Sequence, residues 1–220
     1  MEYFLTKKRI KNIILRFDRY GNIKVSAPFW VKNDEINRFL DSKREWIESH
    51  QNLIKNNLPK YINGEKIMYF EDIYTLNLIS SNRNKVEINN HILNIYARDL
   101  ENPKKIEKMI FDFFIKRSNG YINEILSKYK NAINREVKYI KFRNMTSRWG
   151  SCSTRAATIR LNTLLFNKPK VCLEYVLLHE LIHLIYANHG KDFYRILESL
   201  MSNWREIKDI LESKKTKENI

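Results

Sequence analysis

Residues 176–186, VLLHELIHLIY, constrain the fold more than any other stretch of the chain. The segment is apolar all round a helix, so it must be buried. Yet it carries His179, Glu180 and His183. Burying two imidazoles and a carboxylate without partners costs several kcal/mol, and a metal ion removes that cost. Helix positions four apart share a face, with Cβ atoms ~5–6 Å apart. His179 and His183 can therefore each place a ring nitrogen ~2.0–2.1 Å from one zinc ion. Glu180 lies about 100° further round the helix than His179, near enough to take a proton from a metal-acidified water without being a ligand. HExxH alone also arises by chance, and a lone helical histidine usually belongs to core or surface. The apolar surroundings and a third histidine nearby argue for metal.

That third histidine is His189, six residues past His183 and flanked by Asn188 and Gly190. Both flanking residues tolerate the left-handed conformation that ends helices, so a turn at Asn188–Gly190 is expected to bring His189 back. Three ligands and one open position make a catalytic site. The spacing also occurs in HExxHxxGxxH zinc proteases, with Tyr186 standing where they have glycine. The rival third ligand is a downstream carboxylate, Glu198 or Glu206.

The rest of the chain reads as α+β. KNIILRFDRYGNIKVSAP predicts a hairpin with Gly21 in its turn. Asn33 then reads as the cap of one helix carrying Ile36, Leu40, Ile47 and Ile54. EKIMYFEDIYTLNLI, KVEIN and ILNIYA read as strands. Pro103 opens a long helix that Gly120 is expected to interrupt. EVKYIKF and TIRLN read as strands, and Pro169 opens the histidine helix, expected to reach about Ala187. A boundary near residue 98 would divide a β-rich unit with one helix (1–98) from a second domain (99–220). The tail KKTKENI reads as disordered.

Composition narrows the partners. The net charge is +15, from 40 basic and 25 acidic residues. Such a surface attracts phosphates, so a nucleic-acid-associated zinc module is the alternative to an enzyme, although the basic residues are spread along the whole chain. Cys152 and Cys172 are the only cysteines, too few for a disulfide framework or a four-thiolate zinc site. No apolar stretch approaches the ~18 residues that cross a bilayer, and MEYFLTKKRIKN lacks signal-peptide character. A cytoplasmic protein with no membrane partner is expected.

RWGSCS at 148–153, IRLN at 159–162 and EYVLLHELIHLIYANHGKDFYRIL at 174–197 resemble the YgjP-like metallopeptidase family. These are zincin-type metal-dependent hydrolases with distant similarity to SprT-like proteases. GNIKVSAP at 21–28, KREWI at 43–47 and GEKIMYF at 64–70 extend the resemblance towards the N-terminus. Gly190 stands where a serine is common, and MSNWRE lacks a frequent proline. The resemblance implies a zincin-like domain with its HExxH helix against a small sheet. It implies one Zn2+ held by His179, His183 and His189, Glu180 as general base, and a peptide or protein substrate. Hydrolysis of another amide or ester at the same metal remains an alternative. TIRLN is the expected sheet edge that would hold an extended substrate. Arg148, Trp149, Tyr186 and Tyr194 are candidate substrate or oxyanion contacts; for each, plain packing is the competing role. Cys152 reads as a small buried residue.

Overall fold

The computed structural model describes residues 1–145 and 147–213, so the tail KKTKENI lies outside the described residues. Met1–Lys60 form one compact unit. Its sheet runs β1 (Phe4–Lys8), β3 (Ile23–Pro28), β2 (Ile14–Phe17), with β3 parallel to β1 and antiparallel to β2. Gly21 supplies the positive φ, +81°, in the β2–β3 turn, a conformation only glycine adopts cheaply. Alternation in β3 buries Ile23, Val25 and Ala27 in one cluster with Ile36, Leu40 and Ile47. The single helix expected here is two, α1 (Asn33–Asp41) and α2 (Arg44–Asn56). The break comes at Ser42, whose hydroxyl donates to the Phe39 carbonyl, and at Lys43, whose φ of −112° and ψ of 12° leave the helical well. Asn33 is already helical; Lys32 holds the cap position, with no side-chain capping bond.

The second unit begins at Tyr61. Two hairpins, β4 (Lys66–Tyr69) with β5 (Asp72–Ser80) and β6 (Lys85–Asn89) with β7 (Ile92–Ala97), join through a parallel β5–β7 pair in the order β4-β5-β7-β6. Helix α3 (Pro103–Ile133) follows, capped by the Asn102 side chain. It runs 31 residues without a break; Gly120 costs the helix entropy but does not interrupt it. The expected division at 98/99 falls between β7 and α3, whose buried Leu93, Ile95, Ile106, Ile110 and Phe114 share one core.

A third sheet runs β8 (Tyr139–Arg143), β10 (Thr158–Asn162), β9 (Gly150–Ser153). This corrects the edge assignment. TIRLN, as β10, is the central strand, pairing parallel with β8 and antiparallel with β9. The two edges are β8 and β9, and β9 is GSCS, whose small polar residues gave no strand signal. A short 3-10 segment (Thr163–Asn167) leads into α4 (Lys170–Ile182), followed by α5 (Lys191–Leu200) and α6 (Trp204–Glu212). The described residues thus make a mixed α+β fold of six α-helices and three small sheets. None of these helices is long and apolar enough to cross a membrane.

Candidate metal centre

Helix α4 is buried on most of its circumference, with Leu173, Val176, Leu177, Leu178, Leu181 and Ile182 at 4% exposure or less. Its first turn is held from far away in sequence: the Glu71 carboxylate, in the β4–β5 turn, accepts from the Lys170 amide at 2.7 Å. This satisfies a free N-terminal donor and places negative charge at the positive end of the helix. One turn on, Glu174 accepts from Lys128 (2.7 Å), Tyr129 (2.7 Å) and Tyr121 (3.1 Å), all on α3. Burial works against the Glu174 charge, but the hydrogen bonds from Lys128 and Tyr129 outweigh it and hold its pKa below the ordinary value.

The helix stops at Ile182 rather than near Ala187, with His183 as its last, capping residue. The Leu184 and Ile185 amides turn back to the Leu181 and Ile182 carbonyls, three residues away, a tightening common at helix ends. This brings the Tyr186 carbonyl to 3.0 Å from His183 Nδ1. A carbonyl only accepts, so Nδ1 carries the proton and His183 Nε2 presents a bare lone pair. The return of the chain does not use a left-handed turn: Gly190 has φ −83° and ψ −175°. The early helix end already supplies the reversal.

His179, His183 and His189 meet. Their Nε2 atoms form a triangle with sides of 3.2, 3.1 and 3.0 Å. Tetrahedral ligands at ~2.0–2.1 Å from a metal lie ~3.3 Å apart, so the triangle matches one face of such a site. Three imidazole nitrogens at these distances cannot all be satisfied by each other's protons, whereas one cation accepts all three lone pairs. Two of the rings, His179 and His189, are pushed towards the neutral form. Burial, then the neighbouring His183 and His189, pushes the His179 pKa down to about 3. Burial and His183 also lower that of His189. The donor set therefore fits a metal ion. Of the rival carboxylates, Glu198 instead accepts from the Trp204 indole (2.7 Å) and Arg205 (2.6 Å), and Glu206 is exposed.

Glu180 is only 6% exposed and lies beside the triad on the wall of a cleft of about 390 Å³. Burial pushes its pKa up to about 7, with the Arg148 charge opposing. A carboxyl group so poised can take and return a proton near neutrality. Arg148, Gly150, Ser151, Cys152 and Thr154 form the facing wall, so the β9 edge borders the cleft.

The other candidates separate. The exposed Arg148 lines the cleft, and its backbone carbonyl is held by the buried Asn162 side chain at 2.9 Å. Trp149 packs against the core, with the Lys168 ammonium over its ring. Tyr186 is half-buried and enters the site through its carbonyl. Tyr194 is 41% exposed, its ring 6.3 Å from that of His189 and stacked on Trp204. Cys152 is half-buried in the cleft wall, its thiol pKa pushed up to about 11 chiefly by burial.

Two residues escaped the sequence reading. Phe193 is fully buried, with its ring 4.8–4.9 Å from all three imidazoles, an apolar floor under the triad. Its place four residues after His189, at the start of an apolar stripe with Leu197, was the available signal. Arg135 donates to the carbonyls of Leu184 and, at 2.8 Å, Thr154, tying the end of the histidine segment to the β9–β10 turn. Nothing local in sequence marks it.

A family model described as YgjP-like, metallopeptidase domain, matches residues 11–214. Among solved structures, the chain is similar to the metallopeptidase zymogen of Pyrococcus abyssi abylysin, at 22% identity and a TM-score of 0.39, over 45% of this chain and 99% of that one. It is also similar to the metallopeptidase zymogen of Methanocaldococcus jannaschii jannalysin, at 29% identity and a TM-score of 0.35, over 40% of this chain and 89% of that one. No curated protein matches the chain.

Proposed function

The chain belongs to the YgjP-like metallopeptidase family, and from that premise we propose that it is a zincin-like peptidase using one zinc ion and Glu180 as general base. The triangle of Nε2 atoms, 3.0–3.2 Å on each side, carries the proposal. Three neutral imidazoles with a fourth position open are the ligand pattern of catalytic zinc. His179, His183 and His189 would hold the ion, which when bound supplies Lewis acidity towards water and a substrate carbonyl.

The chain's own residues do the rest. The Tyr186 carbonyl fixes the His183 tautomer so that Nε2 faces inward. Phe193 closes the underside of the triad and keeps water to the cleft side. Glu180 takes the proton of the attacking water on its carboxylate and returns it to the departing amine. Strand β9 ends its sheet and borders the cleft. An extended substrate backbone laid along it would continue the sheet past the histidines, with Arg148 beside it.

Glu180→Gln tests this proposal. Gln keeps the shape but cannot take the proton, so peptide turnover should fall by roughly 10²–10⁴-fold while elemental analysis still finds one zinc per chain. Loss of zinc from the variant would make Glu180 a ligand. Unchanged turnover would remove it as the base.

A further inference from the structure

The cleft wall opposite Glu180 contains a glycine with no room for a side chain. A Cβ built on Gly150 would stand 2.6 Å from Glu180 Oε1, 2.8 Å from Glu180 Cγ and 2.9 Å from Val176 Cγ1. A Cβ does not stand this close to atoms it is not bonded to, so an alanine there must displace what it meets. Backbone conformation is not the reason for glycine at this position. Gly150 begins strand β9 and pairs with Leu161 of β10, and positive φ among the described glycines is confined to Gly21 and Gly64. Space alone excludes a side chain.

Val176 and Glu180 are four apart on α4, so they form one ridge of the helix, and β9 lies directly across it. No described side chain hydrogen-bonds the Glu180 carboxylate, in contrast with Glu174, which has three such partners. Packing therefore sets where the Glu180 side chain lies. On one side is its own helix, on the other the bare backbone of Gly150. Arg135 holds this arrangement closed at the far end of β9 through its bonds to Leu184 and Thr154.

We infer that Gly150 is a positioning residue for Glu180: its missing side chain lets the sheet edge abut the carboxylate and fix it beside the histidine triad. The inference rests on the proposed role of Glu180 for its catalytic consequence, but not for its structural one. A carboxylate displaced by about 1 Å loses on the order of 10²-fold in rate. Because Gly150 is not among the histidine ligands, metal retention should be unaffected.

The test is a double-mutant cycle on the full chain, read by denaturant unfolding and by zinc content, with turnover measured alongside. Gly150→Ala should lower the unfolding midpoint and reduce kcat about 100-fold, with KM within a few-fold and one zinc retained. In a Glu180→Ala background two of the three close contacts are gone, so adding Gly150→Ala should lower the midpoint by less than half as much. Contacting residues couple in this way, and independent ones add. A Gly150→Ala chain that fails to fold but is recovered by adding Glu180→Ala supports the inference equally. An equal midpoint penalty in both backgrounds, or no recovery by Glu180→Ala, overturns it. A wild-type chain that cleaves no peptide would instead sink the peptidase proposal, leaving the unfolding cycle to decide the role of Gly150.

Discussion

The two halves of the histidine helix are built on opposite terms. The N-terminal half spends its polar groups on the fold: Glu71 caps Lys170, and Glu174 gathers Tyr121, Lys128 and Tyr129. The C-terminal half leaves its polar groups available. Among the described residues, the Nε2 atoms of His179 and His183 lie at hydrogen-bond distance from other imidazoles alone, and no side chain hydrogen-bonds the Glu180 carboxylate, which has the Gly150 backbone against it and the Arg148 charge nearby. Electrostatics follow the same division. Glu174 and Glu180 are six residues apart on one helix, yet the first is held below its ordinary pKa and the second is raised to about 7. Burial acts in the same direction on both. Hydrogen-bond donors decide the difference, because they favour the charged form. The carboxylate that serves the fold has its donors in place; the one proposed as the base does not.

If this division holds, substitutions in the two halves should fail in different ways. The largest effect is expected at the metal. His189→Ala should weaken zinc affinity by roughly 10³-fold, beyond the 10–100-fold typical of losing a group that merely supports a ligand. Glu198→Ala, which removes a partner of Trp204 and Arg205, should leave affinity within a few-fold. Competitive chelator titration of both variants measures this, and the opposite pattern would return the third-ligand role to the carboxylate. A smaller effect of another kind is expected at Glu174. Glu174→Ala leaves two tyrosine hydroxyls and an ammonium without their acceptor and should cost about 3 kcal/mol of unfolding free energy, with zinc content and turnover per folded molecule preserved. Because the folded pKa of Glu174 is depressed, its contribution is fully present above the ordinary value of 4.5 and is lost as pH falls through the lower folded value. The stability gap between wild type and variant should therefore narrow as pH falls from 4.5 through the folded value, and stay flat below it. A gap that stayed constant down to the most acid conditions tolerated, or a loss of zinc in the variant, would blur the two halves into one.

What was legible in sequence follows from the range of each interaction. His179, Glu180 and His183 are fixed relative to one another by helix geometry, so their spacing carried their arrangement. His189 could be anticipated because only six residues separate it from His183, though the turn that returns it differs. The helix tightens and ends at Ile182, and no left-handed residue is used at Asn188–Gly190. Strands with β-branched alternation, such as KVEIN and ILNIYA, announced themselves, whereas GSCS did not. Its place at the sheet edge depends on pairing with β10 and on the bare Gly150 backbone lying against α4. Glu71 and Arg135 act on residues 99 and 49 positions away. No periodicity or local motif encodes contacts over such separations.

The central claim is that one metal ion is held by three imidazoles through Nε2, and histidine nitrogen NMR tests it most directly. Zinc titrated into metal-free, ¹⁵N-labelled protein should move the Nε2 resonances of His179, His183 and His189 together and saturate at one equivalent. His50 and His91, the other two histidines, should stay where they are. A titration that saturates with His189 Nε2 unmoved, or that shifts His50 or His91 at one equivalent, would contradict the account.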